Sequence, residues 1–384
     1  MLPRNARVTP PKVLHIVETM GRGATESLLL QMLAHARATS VSIYWTFYCT
    51  LPEAGLHATQ AVELGARVIT SPSPIGSKTE FMSALRRELK RGRYDVLHAH
   101  HDLISGLYLW AAAGLPLRRV VHVHNAGEAV LTDHPVKRLL FSAVLRATCL
   151  ALSDRIAAVS NHALETFLAG RPRRRERDLV LYSGVDGSTF AGPNPDRRAF
   201  RTALSLDENA AILLFAGRMV PEKNPSFVVD VLHSLHSMNR DTVAVFAGEG
   251  PEEAAVVAQA ERLGVVRQIR LLGWRDDLPS VLQCADWFIL PSPEEVMEGF
   301  GLAVVEAQLA GLRLLLSRGI ADDPLLPHAK FRRLALAEGP EAWAKAALEL
   351  MEGSAPSLSD AIADLAASPM NLDIALANLL EIYA

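Results

Sequence analysis

Cysteine is scarce in this chain. There are three in 384 residues, Cys49, Cys149 and Cys284, far apart and odd in number. That pattern excludes a disulfide framework and any thiolate zinc spacing, and it makes a reducing cytoplasm the default compartment. Long apolar runs are missing too. The longest candidate, Leu103 to Leu117, is broken by Gly106, Gly114 and Pro116, and so falls short of the roughly 18 residues needed to span a bilayer. Residues 1–11 hold Arg4, Arg7, Pro10 and Pro11 with no apolar core, and they read as a disordered tail rather than a secretion signal. Aromatic residues make up only 6% of the chain and do not interleave with its basic runs. Nucleic acid is therefore not an expected partner. No internal repeat or low-complexity tract stands out.

What is present is enough apolar sequence, 49% over 384 residues, for more than one core. Strands alternate with helices throughout. Strands are expected at 12–17, 41–48, 66–70, 95–99, 119–124, 155–159 and 179–182, then at 211–216, 242–247, 267–272, 286–290 and 312–316. Gly192-Pro193-Asn194-Pro195-Asp196 between the two sets is the linker candidate. Such alternation predicts parallel sheets covered by helices on both faces, hence two doubly wound Rossmann-like domains, 1–190 and 196–370. Two such domains facing across a cleft would bind ligands at their strand C-terminal edges. A last helix is expected over 371–384.

Charge is uneven. Residues 1–190 hold 23 Lys and Arg against 15 Asp and Glu, and the remainder 16 against 27. Much of the positive excess lies in 86–93 and in Arg171 to Arg175. Such runs are ordinarily solvated surface. The alternative is contact with something anionic, such as a membrane surface or a phosphorylated acceptor.

Two segments carry the chemistry. In 291–311, PSPEEVMEGFGLAVVEAQLAG, Glu298 precedes the turn Gly299-Phe300-Gly301, and Glu306 sits inside an apolar helical run with Leu302, Val305 and Leu309 at helical spacing. Ionised Glu is seldom buried without a partner. Either these two are a helix-entrance Glu and a half-exposed one, or a hydroxyl-rich ligand lies against the helix N-terminus, where free N–H groups also favour an anion. In 211–224, AILLFAGRMVPEKN, a buried strand leads to Gly217-Arg218 and then to Pro221-Glu222-Lys223-Asn224, read as opening a helix. Arg218 and Lys223 place two cations on one loop, which suits a diphosphate better than a monophosphate.

Together with FAGEGP (246–251), LLGWRDDLPSVLQCADWFILPS (271–292), EGFGLAVVEAQLAGL (298–312), VETMGRGATESLLLQML (17–33), YDVLHAHHDLISG (94–106), VVHVHN (120–125) and VLYSGVDGSTF (180–190), these segments resemble the retaining family 4 glycosyltransferases of the GT-B fold. The resemblance spans about residues 12–320, and its N-terminal blocks look most like the branch that builds bacterial surface polysaccharides. It implies a last helix that crosses back onto the first domain, transfer from a nucleotide diphosphate sugar with retention, and no metal or cofactor. Arg218 and Lys223 would stabilise the leaving diphosphate, and Glu306 would bind the ribose hydroxyls. Glu298 would hold the transferred sugar, in a pocket shaped by Gly299, Phe300, Gly301 and Leu302. The base would lie against Gly273, Trp274 and Arg275. His124 matches a histidine that contacts the sugar near the anomeric carbon.

The glycine loop Gly21-Arg22-Gly23-Ala24-Thr25-Glu26 is a partial dinucleotide fingerprint, with Glu26 where a third glycine is wanted, and it argues weakly for NAD. By resemblance Gly21 and Gly23 approach the donor phosphates. His98, His100 and His101 end one strand, and His122 and His124 end another. No carboxylate other than Asp102, and no cysteine, stands at ligand spacing, so no metal site is expected. His100, His101 and Asn125 are assigned to the acceptor side. A UDP-hexose or UDP-N-acetylhexosamine is the first donor choice and a GDP-sugar the second. The acceptor bears a hydroxyl, a lipid-linked one being an option. A nucleotide-sugar epimerase of the same architecture and a non-catalytic sugar-nucleotide-binding protein are the competing readings.

Overall fold

The structure is a computed structural model that describes residues 9–125, 135–193 and 195–384. Residues 1–8 of the expected tail and Asn194 of the expected linker lie outside the described residues. The chain divides into two compact units, Met1–Gly184 with Pro369–Ala384, and Val185–Ser368.

The first unit is built on β1 (Lys12–Val17), β2 (Tyr44–Cys49), β3 (Arg67–Thr70), β4 (Val96–Ala99), β5 (Arg118–Val123), β6 (Arg155–Ala158) and β7 (Asp178–Val180). They form one sheet in the order β3-β2-β1-β4-β5-β6-β7, parallel at every pairing. Apart from Lys12, Arg118 and Arg119 at their entering ends, the central strands β1, β4 and β5 are buried, as a sheet covered on both faces requires, and they are apolar except for His15, His98 and His122. Chain direction across the sheet reverses between β1 and β4, which makes their C-terminal ends the switch point of this unit.

β2 starts three residues later than the alternation predicts. The helix Ala24–Ala38 ends on Ser40 at φ 58°. The Val41 amide then donates to the Ala36 carbonyl at 2.8 Å and the Ser40 amide to Arg37 at 3.2 Å. That paired helix ending consumes the backbone groups a strand would need.

The helix Leu372–Tyr383 returns to this unit, as expected from the resemblance. Asn371 caps it through the amides of Asp373 and Ile374. Leu372, Ala375, Leu376, Leu379 and Ile382 bury against the core residues of β1, β2 and the helix Ala24–Ala38. Polar clasps fix its position. His35 Nε2 lies 2.7 Å from Asp373 Oδ1, and the Arg118 guanidinium donates to the Ala384 carbonyl at 2.8 Å.

The second unit contains β8 (Ala211–Ala216), β9 (Thr242–Ala247), β10 (Ile269–Leu271), β11 (Trp287–Leu290), β12 (Arg313–Ser317) and β13 (Phe331–Leu334). Their order is β10-β9-β8-β11-β12-β13, again parallel throughout. β13 is absent from the sequence expectation. Its FRRL sequence lacks a buried run because among the described residues it pairs only with β12, and it keeps Arg332 exposed. The switch point here lies between β8 and β11, the strands that lead into the two chemistry-bearing segments.

Candidate functional site

Three loops leave the C-terminal ends of β8, β9 and β10 and are stitched together by backbone hydrogen bonds. The Gly217 amide donates to Ala247, Met219 to Glu249, Glu252 to Met219 and Gly248 to Gly273, at 2.8–3.0 Å. Close approach explains the glycines of FAGEGP. A Cβ on Gly248, at φ +147°, would lie 2.0 Å from the Gly217 carbonyl oxygen. A Cβ on Gly250 would lie 2.2 Å from that of Met219. These glycines brace the loop that carries Arg218, a role the sequence reading left unassigned.

Arg218 is exposed and makes no side-chain hydrogen bond or ion pair among the described residues. Lys223 is placed differently from the sequence expectation. Pro221–Lys223 is a single 3-10 turn, Asn224 turns left-handed at φ 49°, and the helix begins afresh at Pro225. The break aims the Lys223 ammonium at Glu298, with Nζ 2.5 Å from Oε2 and each side chain 18% exposed. The two segments expected to wall one site are thus joined by an ion pair that spans 75 residues of sequence.

The strand β11 delivers Glu298 through a turn in which Met297 holds φ 49°, strain of the kind found at functional loops. The Glu298 amide donates to the Gly319 carbonyl at 2.8 Å, and the Ser292 hydroxyl lies 3.5 Å from Oε2. Gly301, at φ 83°, then opens the helix Leu302–Leu309 with no side-chain cap. Phe300 is buried beneath this turn. Glu306 follows one turn into the helix. Among the described residues its carboxylate has no hydrogen-bond or ion-pair partner, and desolvation pushes it up to about 7. A half-buried carboxyl without a partner is the group the sequence singled out as needing a ligand.

The residues expected to meet the base are already engaged. Arg275 forks onto Asp277 at 2.6 and 2.7 Å. The Trp274 indole donates to Asp276 at 2.9 Å, and its amide to Glu249 at 3.2 Å. Gly273, at φ 63°, lies against the Glu249 side chain. Backbone groups are what this corner has to offer a ligand.

In the first unit, the expected phosphate loop follows β1. Gly23 precedes the helix Ala24–Ala38, and the Glu26 carboxylate folds back until its oxygen stands 2.0 Å from where a Gly23 Cβ would be. A carboxylate already complements that helix N-terminus. Gly21 is tight against Thr19 Oγ1.

The histidines form a ladder. Residues two apart on a strand share a face, so His98 and His100 line up beside His122 and His124, with His15 on β1 next to His98. The rings are closely spaced, with centroids 4.1 Å apart for His98 and His100 and 4.2 Å for His122 and His124. Burial drives the ladder's rings toward the neutral form, His15 and His122 to about 3. His15 Nδ1 lies 3.0 Å from His100 Nε2, and His100 Nδ1 lies 3.0 Å from His124 Nε2. His98 Nδ1 meets the Tyr383 hydroxyl at 2.7 Å, and His101 Nδ1 that of Tyr108 at 2.6 Å. Two triplets, His15/His98/His100 and His100/His122/His124, bring ring nitrogens within 4.8 Å of one another and could hold a metal ion. The sequence, read strand by strand, did not assemble them.

Asp102 is the residue the sequence undervalued. It is buried, at φ 44°, and its carboxylate accepts from the His124 amide at 2.7 Å, the Asn125 amide at 3.3 Å and the Asn125 side chain at 2.8 Å. Burial raises its pKa while these three hydrogen bonds oppose the shift. Asp102 therefore sets the end of β5 where His124 stands.

Comparison with known proteins agrees with this layout. The family model for glycosyl transferases group 1 matches residues 196–364, and that for glycosyltransferase family 4 matches residues 29–188. The putative glycosyltransferase EpsF of Bacillus subtilis is 26% identical over 339 residues, covering 87% of this chain and 86% of that protein. The UDP-Gal:alpha-D-GlcNAc-diphosphoundecaprenol alpha-1,3-galactosyltransferase of Escherichia coli is 28% identical over 242 residues, 61% of this chain and 60% of that one. The crystal structure of Anabaena HepE with UDP and glucose superimposes with a TM-score of 0.76 at 18% identity, covering 97% of this chain and 98% of that one. Two parallel α/β units, a C-terminal helix that returns to the first and matching family models along most of the sequence identify the chain as a GT-B-fold glycosyltransferase, related to the group 1 and family 4 glycosyltransferases.

Proposed function

We propose that this chain transfers a hexose or N-acetylhexosamine from a UDP-sugar to a hydroxyl acceptor with retention of anomeric configuration. The observation that carries this reading is the convergence at the β8/β11 switch point. Among the described residues Arg218 there is a cation with no partner, Lys223 and Glu298 form an ion pair, and Glu306 is a desolvated carboxyl with no partner. UDP-bound HepE and the UDP-galactose-using relative support uridine as the base.

Breaking the anomeric bond develops negative charge on the diphosphate oxygens. Arg218 and Lys223 are already charged, so they stabilise that charge without transferring a proton. Glu306, when ionised, is acceptor-only and takes both ribose hydroxyls. Glu298 holds sugar hydroxyls, and its pairing with Lys223 supports a sugar site next to the diphosphate site. His124, which Asp102 fixes in place, contacts the transferred sugar near its reacting carbon. No carboxylate serves as a covalent nucleophile. The acceptor attacks from the face the diphosphate leaves.

A lipid-linked acceptor fits the relative that acts on a diphosphoundecaprenol-linked sugar. It also fits the surface of the first unit. Arg87, Lys90, Arg93, Arg171, Arg174 and Arg175 are exposed. Trp110, Leu139, Leu140 and Val144 are exposed apolar residues on two helices that pack together, Ser105–Ala111 and Pro135–Leu152. Peripheral contact with an anionic bilayer would use both features. The basic stretch is smaller than the sequence reading has it, because Arg86 donates to the carbonyls of Ala111 and Ala113 and Arg91 is paired with Glu88.

The deciding experiment incubates the protein with labelled UDP-sugars, with and without lipid-linked and soluble acceptors. Acceptor-dependent transfer with a retained anomeric linkage is expected. Conversion of the sugar nucleotide without acceptor would favour an epimerase, and binding without turnover a non-catalytic protein.

A further inference from the structure

We infer that the hydrogen-bonded chain His15–His100–His124 fixes the proton of His124 on Nδ1, so that this residue meets the sugar as a neutral hydrogen-bond donor and His15 and His100 are its positioning residues. The inference rests on the reading above only in placing His124 at the sugar.

A neutral imidazole carries one N–H, one donor and one acceptor. His100 spends both nitrogens inside the chain, Nε2 on His15 Nδ1 and Nδ1 on His124 Nε2, each at 3.0 Å. If it donated twice it would be imidazolium, and if it accepted twice imidazolate. Burial among four other imidazoles excludes both charges. His100 must donate in one direction and accept in the other, which leaves only two arrangements for all three rings.

The inner end chooses between them. His15 Nε2 is buried and has no partner among the described residues. If the chain runs outward, His15 donates from Nδ1, and the partnerless Nε2 is a bare lone pair in a ring stacked on Trp45, with centroids 4.6 Å apart. If it runs inward, the same atom carries a proton that nothing accepts. Orphaned buried N–H groups are the rarer defect. The chain therefore runs from His15 through His100 to His124, whose Nε2 accepts and whose Nδ1 bears the hydrogen.

His124 is the only partly exposed ring of the ladder, and its Nδ1 has no partner among the described residues. That N–H is what the ladder presents outward. Asp102 holds the His124 backbone amide and not its ring, so the tautomer is set by imidazoles rather than by the carboxylate familiar from acid–base dyads. The function of such a chain is to offer a fixed donor to a hydroxyl or ring oxygen, with no charge that would compete for the diphosphate.

The test is a two-bond nitrogen–proton correlation spectrum of histidine-15N-labelled protein, with the His124 signals identified by their loss in His124→Gln. The expected result is a pyrrole-type Nδ1 and a pyridine-type Nε2 for His124 in the wild type. The opposite assignment, or an averaged one, overturns the proposal. His100→Gln can still accept on one side and donate on the other, whereas His100→Leu cannot. We expect His100→Leu to average the His124 tautomer and to lower kcat on the order of 10-fold to 100-fold with UDP affinity unchanged, and His100→Gln to restore most of the turnover. Equal loss in both variants would also overturn it. Failure of the underlying reading looks different. In that case His124→Gln leaves turnover intact while the tautomer is still found on Nδ1.

Discussion

Glu306 makes a quantitative prediction about pH. Desolvation lifts its carboxyl from 4.5 to about 7 in the unliganded protein, so ionising it there costs about 3 kcal/mol more than in water. Because the folded pKa lies above the unfolded one, the protonated group's contribution to stability is whole below about pH 4.5 and is lost as pH rises through about 7. A bound ribose reverses the preference, since two hydroxyl donors stabilise only the anion. If those charge-assisted bonds contribute about 1.5–3 kcal/mol, the bound carboxyl falls by about one to two pKa units. UDP affinity then rises by about 10-fold to 100-fold between pH 5 and 8 through this group alone, and binding near pH 6 releases a proton. Glu306→Gln removes the titration. The ratio of wild-type to variant affinity cancels the phosphate's own ionisation, so this ratio is the quantity to measure. Calorimetry of UDP binding across that pH range, in buffers of different ionisation enthalpy, gives both the ratio and the proton count. The variant should also be more stable than the wild type at pH 8, and equal to it only below about pH 4.5. A ratio independent of pH, or proton uptake on binding, would refute the assignment.

The other predictions follow from the same geometry. Arg218→Ala and Lys223→Ala should each weaken UDP binding by about 10-fold to 150-fold, the loss of one charge-assisted contact. Only Lys223→Ala should lower thermal stability, by about 1–2 kcal/mol, because it strands the half-buried Glu298, while Arg218 is exposed. Glu298→Gln should cut kcat with UDP affinity nearly intact, and equal weakening of UDP by Glu298→Gln and Glu306→Gln would displace the sugar from Glu298. Chelator should change neither binding nor turnover. Gly250→Ala pushes a methyl against the Met219 carbonyl and should cost more than about 1 kcal/mol on unfolding, together with UDP affinity; a neutral melting curve would show that the loop yields. Co-sedimentation with anionic vesicles at low salt should exceed that with neutral vesicles and fall at high salt. No difference between the vesicles would leave the arginines as ordinary surface.

Much of the fold was legible because parallel strands buried on both faces write themselves as uninterrupted apolar runs, as in Ala211–Ala216 and Trp287–Leu290. β13 was not, since an edge strand rich in arginine carries no such signal. Glu298 and Glu306 stood out because carboxylates are anomalous in apolar helix sequence. The Lys223–Glu298 pair, the Glu26 carboxylate over Gly23 and the Asp102 cradle were hidden, each for a physical reason. The first joins loops that only the β8/β11 neighbourhood brings together, and the second depends on a side chain folding back. The third needs a non-glycine residue at positive φ, which composition does not announce. The i, i+2 spacing of His98 with His100 and of His122 with His124 was visible in the sequence. That His15 completes the line required the β1–β4 register.

The return of Leu372–Tyr383 to the first unit has a consequence for how the protein is made. The segment that contributes Leu376, Leu379, Ile382 and Tyr383 to the core of β1 and β2 is synthesised only after the whole of Val185–Ser368. At about 5–20 residues per second, that interval is roughly ten to forty seconds. Throughout it the nascent first unit has no Tyr383 hydroxyl for His98 and nothing over the apolar strip that the late helix covers. The second unit is continuous in sequence and can finish folding as it emerges. The ribosome thus completes the later half first, and the earlier half spends that time as a candidate client for chaperones. Slowing translation within residues 185–368 should lengthen chaperone occupancy of the first unit, while supplying residues 369–384 in trans should shorten it.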